Sequence, residues 1–376
     1  MKIVVAPDSF KGSLTAVQAC AAMRRGVLRA IPEADAVMIP MADGGEGTID
    51  SIAAAADGEV IRCLTTDPIG RPITGRYAVL GDGKTAVLEM AEAAGLTLLE
   101  AEHRNPLFTS TRGVGQMLRH ALDQGYRSFI LGIGGSATND GGAGMAAALG
   151  AKLLDAAGCE LPAGGGALCK LERIDLSDWD TRLAECEFSI ACDVDNPLLG
   201  ASGASFVFGP QKGATPDIAA KLDQCLARYA GVVRRDMGID IGSMSGGGAG
   251  GGMAAGAAAF LGAKLASGIE LVKAAVRFEN RISGADLILT GEGRCDAQTV
   301  RGKTPYGIGV AGKNASIPVM VIAGTIGEGA EALYDHGITR ILPITEQPLS
   351  LQMKIEEAPR LLEEAAERAI RLFLTS

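Results

Sequence analysis

The run Lys2-Ile3-Val4-Val5-Ala6-Pro7-Asp8-Ser9-Phe10-Lys11-Gly12-Ser13-Leu14-Thr15-Ala16-Val17-Gln18 decides the fold class. Residues 2–6 are consecutively apolar and partly β-branched, the pattern of a strand covered on both faces. Thr15 and Gln18 have capping-box spacing, with Thr15 as N-cap and Gln18 at the third helical position. The spacing therefore predicts a helix from Thr15 to about Ala30, before Pro32. A second strand follows over 36–41 and a second helix over 47–56. Strand, helix, strand, helix in that order calls for a parallel sheet with helices on its faces.

Outward from this unit the texture changes. Residues 59–65, 73–80 and 84–90 are β-rich and separated by Asp67-Pro68-Ile69-Gly70 and Gly81-Asp82-Gly83, both turn signals, the second a hairpin. An antiparallel meander thus follows the parallel unit, with a boundary near residue 60. Alternation then resumes: a helix over 111–124, a strand over 128–133, a helix over 143–149 and a strand over 188–192. Residues 215–235 form an amphipathic helix with Ile218, Leu222, Cys225, Leu226 and Tyr229 on one face. A glycine-dense loop covers 236–252. The last ninety residues alternate strands (285–290, 318–323, 339–343) with helices (305–313, 327–335, and 351–374 broken at Pro359). The expectation is α/β throughout: residues 1–60 and 285–376 as a doubly wound domain with a parallel sheet, and 61–284 as an inserted α/β domain whose mixed sheet includes the meander. One echo is visible, since 142–153 and 248–265 both read glycine loop, alanine-rich helix, then Leu-Gly-Ala-Lys-Leu.

The chain has 376 residues, with 35 Lys+Arg against 44 Asp+Glu and a net charge of −9, which argues against a nucleic-acid reader or a binder of anionic membranes. Its 52 glycines are about twice the usual share, so they should serve specific backbone positions. Aromatics make up only 4%, leaving Ala, Val, Ile and Leu to build the core. The eight cysteines show no Cys-x-x-Cys pair and the three histidines lie far apart, which argues against zinc. Scattered thiols of this kind read as reduced, hence a cytoplasmic protein. The opening apolar run is too short for a signal peptide, and the most apolar stretch, 249–263, is too short to span a bilayer.

Polar residues cluster where the predicted strands end, the place where open α/β sheets bind ligands. Asp8, Ser9, Lys11 and Ser13 crowd the first such loop. Asp43-Gly44-Gly45-Glu46-Gly47-Thr48 fills the second; its acids suit a metal or substrate hydroxyls, or a helix start. Gly134-Gly135-Ser136-Ala137-Thr138-Asn139-Asp140-Gly141-Gly142 stands between a strand and a helix, where backbone N–H groups can approach an anion. It is neither a Walker A loop nor a Gly-x-Gly-x-x-Gly fingerprint. Asp193-Val194-Asp195-Asn196-Pro197 offers two carboxylates to a hard cation such as Mg²⁺, or forms an Asx turn. Lys212 lies between glycines ahead of Thr215. The richest motif, 290–305, gathers Glu292, Arg294, Asp296, Gln298, Thr299 and Lys303, with Thr304 and Pro305 as N-cap and first residue of a helix. Cations for spreading negative charge and a carboxylate for a hydroxyl are what phosphoryl transfer needs. A dehydrogenase would need the missing dinucleotide fingerprint, and a non-catalytic nucleotide- or anion-binding protein would not need so many acids and lysines at strand ends.

Taken together, residues 6–13, 41–48, 134–142, 193–197 and 291–305 resemble, in order and spacing, the bacterial type I glycerate kinase family. The resemblance implies ATP-dependent, Mg²⁺-assisted phosphorylation of D-glycerate, usually to 2-phosphoglycerate, with a 3-kinase or a kinase for another small hydroxy acid as the alternative. It also implies two α/β domains with a cleft between them, one flavodoxin-like. The partner expected is a small molecule, with no nucleic acid or membrane and a homodimer left open. On chemical grounds Asp8 or Asp296 would take the hydroxyl proton, and Arg294 or Lys11 would hold the glycerate carboxylate. Ser9, Asp43, Glu46, Glu292 and Thr299 would line the substrate. Asp193 and Asp195 would hold Mg²⁺, and Gly134, Gly135, Ser136, Thr138, Asn139, Lys212 and Lys303 would cradle the ATP phosphates.

Overall fold

The structure, a computed structural model, describes residues 1–45 and 47–375. They form two compact units: Met1–Asp43, Asp50–Gly58 and Ser267–Ser376 make the first, and Gly44–Ile49 with Glu59–Ala266 the second. In chain order the strands are β1 (Lys2–Val5), β2 (Asp35–Met38), β3 (Glu59–Thr66), β4 (Pro72–Val79), β5 (Thr85–Glu89), β6 (Ser128–Gly132), β7 (Lys152–Leu154), β8 (Arg173–Asp175), β9 (Glu187–Ala191), β10 (Lys264–Ala266), β11 (Leu287–Cys295), β12 (Val319–Ile326) and β13 (Ile338–Pro343).

The first unit is built on a parallel sheet ordered β13-β12-β11-β1-β2. Read from β2, this is the flavodoxin-type order, and the chain reverses its direction of travel between β1 and β11, where such sheets open a crevice for ligands. The capping box forms as the spacing requires, starting the helix Ala16–Ala30. That helix packs beside the terminal helix Ala358–Leu374, burying Met23, Leu361 and Leu362 among others, each contributing roughly 2 kcal/mol. The break in the C-terminal helices falls at Glu357, just before Pro359.

The second unit carries the sheet β10-β9-β6-β5-β4-β3. Strands β3, β4 and β5 form the expected antiparallel meander, and β5, β6, β9 and β10 run parallel. Phe129 and Phe188 stack on one face, with ring centroids 4.8 Å apart. A ribbon, β7–β8, lies outside this sheet. The two echoing stretches become packed neighbours, the helices Ala143–Ala148 and Met253–Leu261, with Gly141 N–H donating to the Gly251 carbonyl at 3.1 Å.

Several expectations are corrected. Strand β11 does not stop at Thr290 but runs to Cys295, because β12 stays beside it, Arg294 facing Thr325 and Cys295 facing Ile326. Thr304 opens its helix as the first residue and Lys303 takes the cap position. The helix expected over 327–335 is a 3₁₀ turn, Ala330–His336. Cys169 and Cys225, 56 residues apart in sequence, form a disulfide where spacing suggested only reduced thiols. The fold brings the turn Gly165–Lys170 against the helix Pro216–Met237, a proximity that spacing alone does not reveal. Among the described residues no helix is long and apolar enough to cross a membrane.

Candidate active site

The sheets sort the sequence candidates into two groups. Asp8, Ser9, Lys11, Asp43, Glu292, Arg294, Asp296, Thr299 and Lys303 all belong to the first unit. Gly134, Gly135, Ser136, Thr138, Asn139, Asp193, Asp195 and Lys212 belong to the second. Glu46 lies outside the described residues.

In the first unit the group gathers at the switch point between β1 and β11. Asp8 N–H donates to the Gly291 carbonyl at 2.9 Å, extending the sheet one step past β1. This sets the Asp8 carboxylate in the interior, where Oδ1 accepts from Ser9 N–H at 2.6 Å and Oδ2 from the Thr304 hydroxyl at 2.7 Å. Thr304 thus serves Asp8 instead of capping its own helix, a role its sequence position did not announce. Burial, then the negative charge of Asp43, pushes the Asp8 carboxyl up to about 7 against those two hydrogen bonds. Next to it on the sheet, Glu292 is buried, accepts from the Thr299 hydroxyl at 2.8 Å and pairs with Lys303 at 3.5 Å. Burial raises its carboxyl while Lys303 opposes the rise.

Asp296 differs from Asp8. Its carboxylate accepts from Arg294 Nε at 2.8 Å and from Gln298 N–H at 3.0 Å. These bonds hold it below the ordinary carboxylate range. It is a turn-former bound to an exposed arginine, poorly suited to take a proton. Lys11 is exposed beyond the strand end.

In the second unit, register sets Glu89, Gly132 and Ala191 side by side at the carboxyl edge of β5, β6 and β9. Beyond β6 runs the glycine loop. Asp140, fully buried, accepts from Thr111 N–H and its hydroxyl at 2.8 and 3.0 Å, and from Gly142 and Gly144 N–H at 3.2 Å each. Those helix-start donors are therefore spent internally. The segment Ser136–Asn139 keeps its capacity instead: the Thr138 hydroxyl and Asn139 Oδ1 are buried without a hydrogen-bond partner, although the Asn139 amide nitrogen donates to the Ser205 hydroxyl at 2.9 Å. Buried polar atoms left unpaired are costly, so these two would be stabilised by a partner that brings hydrogen bonds. Lys212 lies beneath it, fully buried, donating to the Ser136 hydroxyl at 2.7 Å and the Thr138 carbonyl at 2.6 Å. Burial depresses its ammonium to about 7, partly offset by Asp140. Gly251 (φ +71°) seals this arrangement; a Cβ there would stand 1.9 Å from the Thr138 carbonyl and 2.9 Å from Lys212 Nζ.

Asp193 and Asp195 follow β9 as exposed carboxylates, and the Asn196 amide nitrogen donates to the Ser202 carbonyl at 2.8 Å. Two carboxylates and a side-chain carbonyl are a fitting donor set for hydrated Mg²⁺, which takes one or two carboxylates and leaves room for phosphate oxygens. The three-residue cluster of possible metal ligands found among the described residues lies elsewhere, at exposed Glu100, Glu102 and His103.

The model of the "Glycerate kinase family" matches residues 3–374. The chain belongs to that family. This family member is 49% identical to a glycerate kinase of Halalkalibacterium halodurans over 97% of this chain and 96% of that one. It is 46% identical to the glycerate 2-kinase of Escherichia coli K12 over 92% and 90% of the two chains. A crystal structure from Salmonella typhimurium LT2, assigned provisionally as glycerate kinase 2, superposes with a TM-score of 0.90 at 43% identity, covering 100% of this chain and 98% of that one. The protein is accordingly a phosphotransferase with an alcohol acceptor, and the two-sheet α/β architecture is that of the family.

Proposed function

We propose that this glycerate kinase transfers the terminal phosphoryl group of ATP to the 2-hydroxyl of D-glycerate, giving 2-phospho-D-glycerate and ADP. The observation that carries the reading is Asp8: a buried carboxylate at the topological switch point, held at about 7 and flanked by Thr304 and the Glu292–Lys303 pair. A base with that value is matched to neutral pH. Asp8 accepts the proton of the substrate hydroxyl, whose oxygen attacks the terminal phosphorus as the bond to the ADP oxygen breaks. Ser9, Asp43, Glu292 and Thr299 line the acceptor, and Arg294 with Lys11 grips its carboxylate, Arg being suited to a two-pronged hold. The Gly134–Gly135 turn and the Ser136–Asn139 segment cradle the nucleotide phosphates, with Lys212 supplying positive charge from beneath. Lys303, already paired with Glu292, balances the charge that spreads over the phosphoryl group. Asp193 and Asp195 would hold Mg²⁺, which when bound neutralises phosphate charge.

The name of the E. coli relative supports the 2-hydroxyl as acceptor. Phosphorus NMR of the product, formed from ATP, Mg²⁺ and D-glycerate, tests the reading. The 2-phosphate is expected. The 3-phosphate would overturn the regiochemistry, and intact ATP would overturn the activity.

A further inference from the structure

Glu89 is a buried carboxylate that the scheme above leaves without a role. It ends β5, and both of its oxygens are used on one short segment: Oε1 accepts from Ile49 N–H at 2.7 Å and Oε2 from Gly47 N–H at 3.3 Å. These N–H groups stand at the start of the helix Thr48–Ala55, where a helix has no acceptors of its own. The carboxylate therefore caps that helix from another element. Gly44 and Gly45 come close to the strand that leads into the glycine loop. A Cβ on Gly132 would meet the Gly44 carbonyl at 2.6 Å, and one on Gly134 would meet Gly45 Cα at 3.3 Å. Gly47 and Ile49 are thus held by Glu89, while Gly44 and Gly45 abut the strand that feeds the glycine loop. Burial opposes ionisation here and drives the Glu89 carboxyl up to about 7; Glu92 adds to the rise, while Arg76 and the two N–H bonds resist it. A carboxylate kept in so unfavourable a place for two backbone bonds is an expensive way to cap one helix.

We propose that Glu89 is a positioning residue for phosphoryl transfer, a latch that holds Gly47 and Ile49, and with them Gly44 and Gly45, against the strand that feeds the Gly134–Asn139 loop, so that this loop is kept in the geometry that meets the phosphates. The inference rests on the kinase reading above, since that reading assigns the Gly134–Asn139 loop to the nucleotide phosphates. Misplacing reacting groups by about an ångström costs on the order of 10²-fold in rate without weakening binding to match.

The test compares wild type, Glu89→Ala, Glu89→Gln and the neighbouring control Glu92→Gln, by steady-state kinetics and amide hydrogen exchange. In Glu89→Ala the amides of 47–49 should exchange at least about 10-fold faster. Its kcat should fall roughly 10- to 100-fold with KM for ATP and glycerate changed less than about 3-fold. Glu89→Gln, which keeps one acceptor oxygen, should recover part of both losses, and Glu92→Gln should match wild type. A folded Glu89→Ala with kcat within about 2-fold of wild type, or a loss seen wholly in KM, overturns the positioning role. Should wild type itself leave glycerate unphosphorylated, the kinase reading falls. The exchange data would still decide the latch, because unchanged protection of 47–49 in Glu89→Ala refutes it.

Discussion

The two units use opposite means to prepare a polar site. At the β1–β11 switch point the first unit concentrates ionisable side chains: Asp8, Asp43, Glu292 and Lys303, with Asp8 buried enough to hold its proton to about 7. At the end of β6 the second unit works with neutral groups in a shaped backbone: the Thr138 hydroxyl, Asn139 Oδ1 and the loop amides, with one lysine sealed underneath. The first arrangement suits proton transfer, which needs a group poised between two protonation states. The second suits an anion, which fixed dipoles stabilise without reorganising. On the proposed reading, the difference is a division of the chemistry by physical task, each sheet using the carboxyl ends of its parallel strands.

The contrast breaks most severely at Asp8. Asp8→Asn should lower kcat by about 10²- to 10⁴-fold, the usual worth of a general base. Wild-type kcat should climb as pH rises through about 7, where Asp8 gives up its proton, and the variant should lose that limb. The same shift bears on stability. Between its unfolded value near 4 and its folded value near 7, Asp8 keeps in the folded chain a proton that the unfolded chain has lost, so it withdraws stability as pH rises across that window. Asp8→Asn should therefore melt a few degrees above wild type at pH 8 by calorimetry, which separates lost chemistry from lost folding.

In the second unit, Lys212→Met should weaken ATP binding roughly 10²-fold, in keeping with the 2–5 kcal/mol typical of removing one partner from a buried charged pair. Titration calorimetry reads that change directly, and kcat at saturating ATP should suffer less than in Asp8→Asn. Asp296→Asn should cost less than about 10-fold in kcat, because Asp296 is held by Arg294 and Gln298 and such exposed pairs contribute little. A loss equal to that of Asp8→Asn would move the base to Asp296. The smallest expected effect sharpens the contrast further. Lys212 loses its proton as pH rises through about 7, and bound phosphate would draw it back. ATP binding at pH 8 should take up a fraction of a proton, seen as a binding enthalpy that depends on the buffer and ceases to do so in Lys212→Met.

Much of this was legible in the residues. The β-branched run after Met1, the Thr15/Gln18 box and the meander between 59 and 90 each follow from local rules, and each stands where those rules put it. Strand-end loops also pointed to the polar clusters. What local rules miss is who faces whom. The residues of 290–295 read as loop because glycine and charge interrupt them, yet pairing with β12 makes them strand. Asp8 and Asp296 looked equivalent as bases until burial separated them. Glycines ahead of Ala143 suggested an anion site at that helix start, but Asp140 occupies its donors, and the unpaired buried atoms lie at Thr138 and Asn139 instead. Glu89 sat at the end of an apolar strand with nothing nearby in sequence to show that it reaches residues forty positions earlier.

The proposed chemistry centres on Asp8. Its most direct test is turnover of ATP with D-glycerate and Mg²⁺ by wild type and folded Asp8→Asn from pH 5 to 9. The account predicts 2-phosphoglycerate formation that rises through pH 7 in wild type and drops at least about 10²-fold, without that rise, in the variant. Equal turnover and an identical pH profile in the two proteins would contradict it.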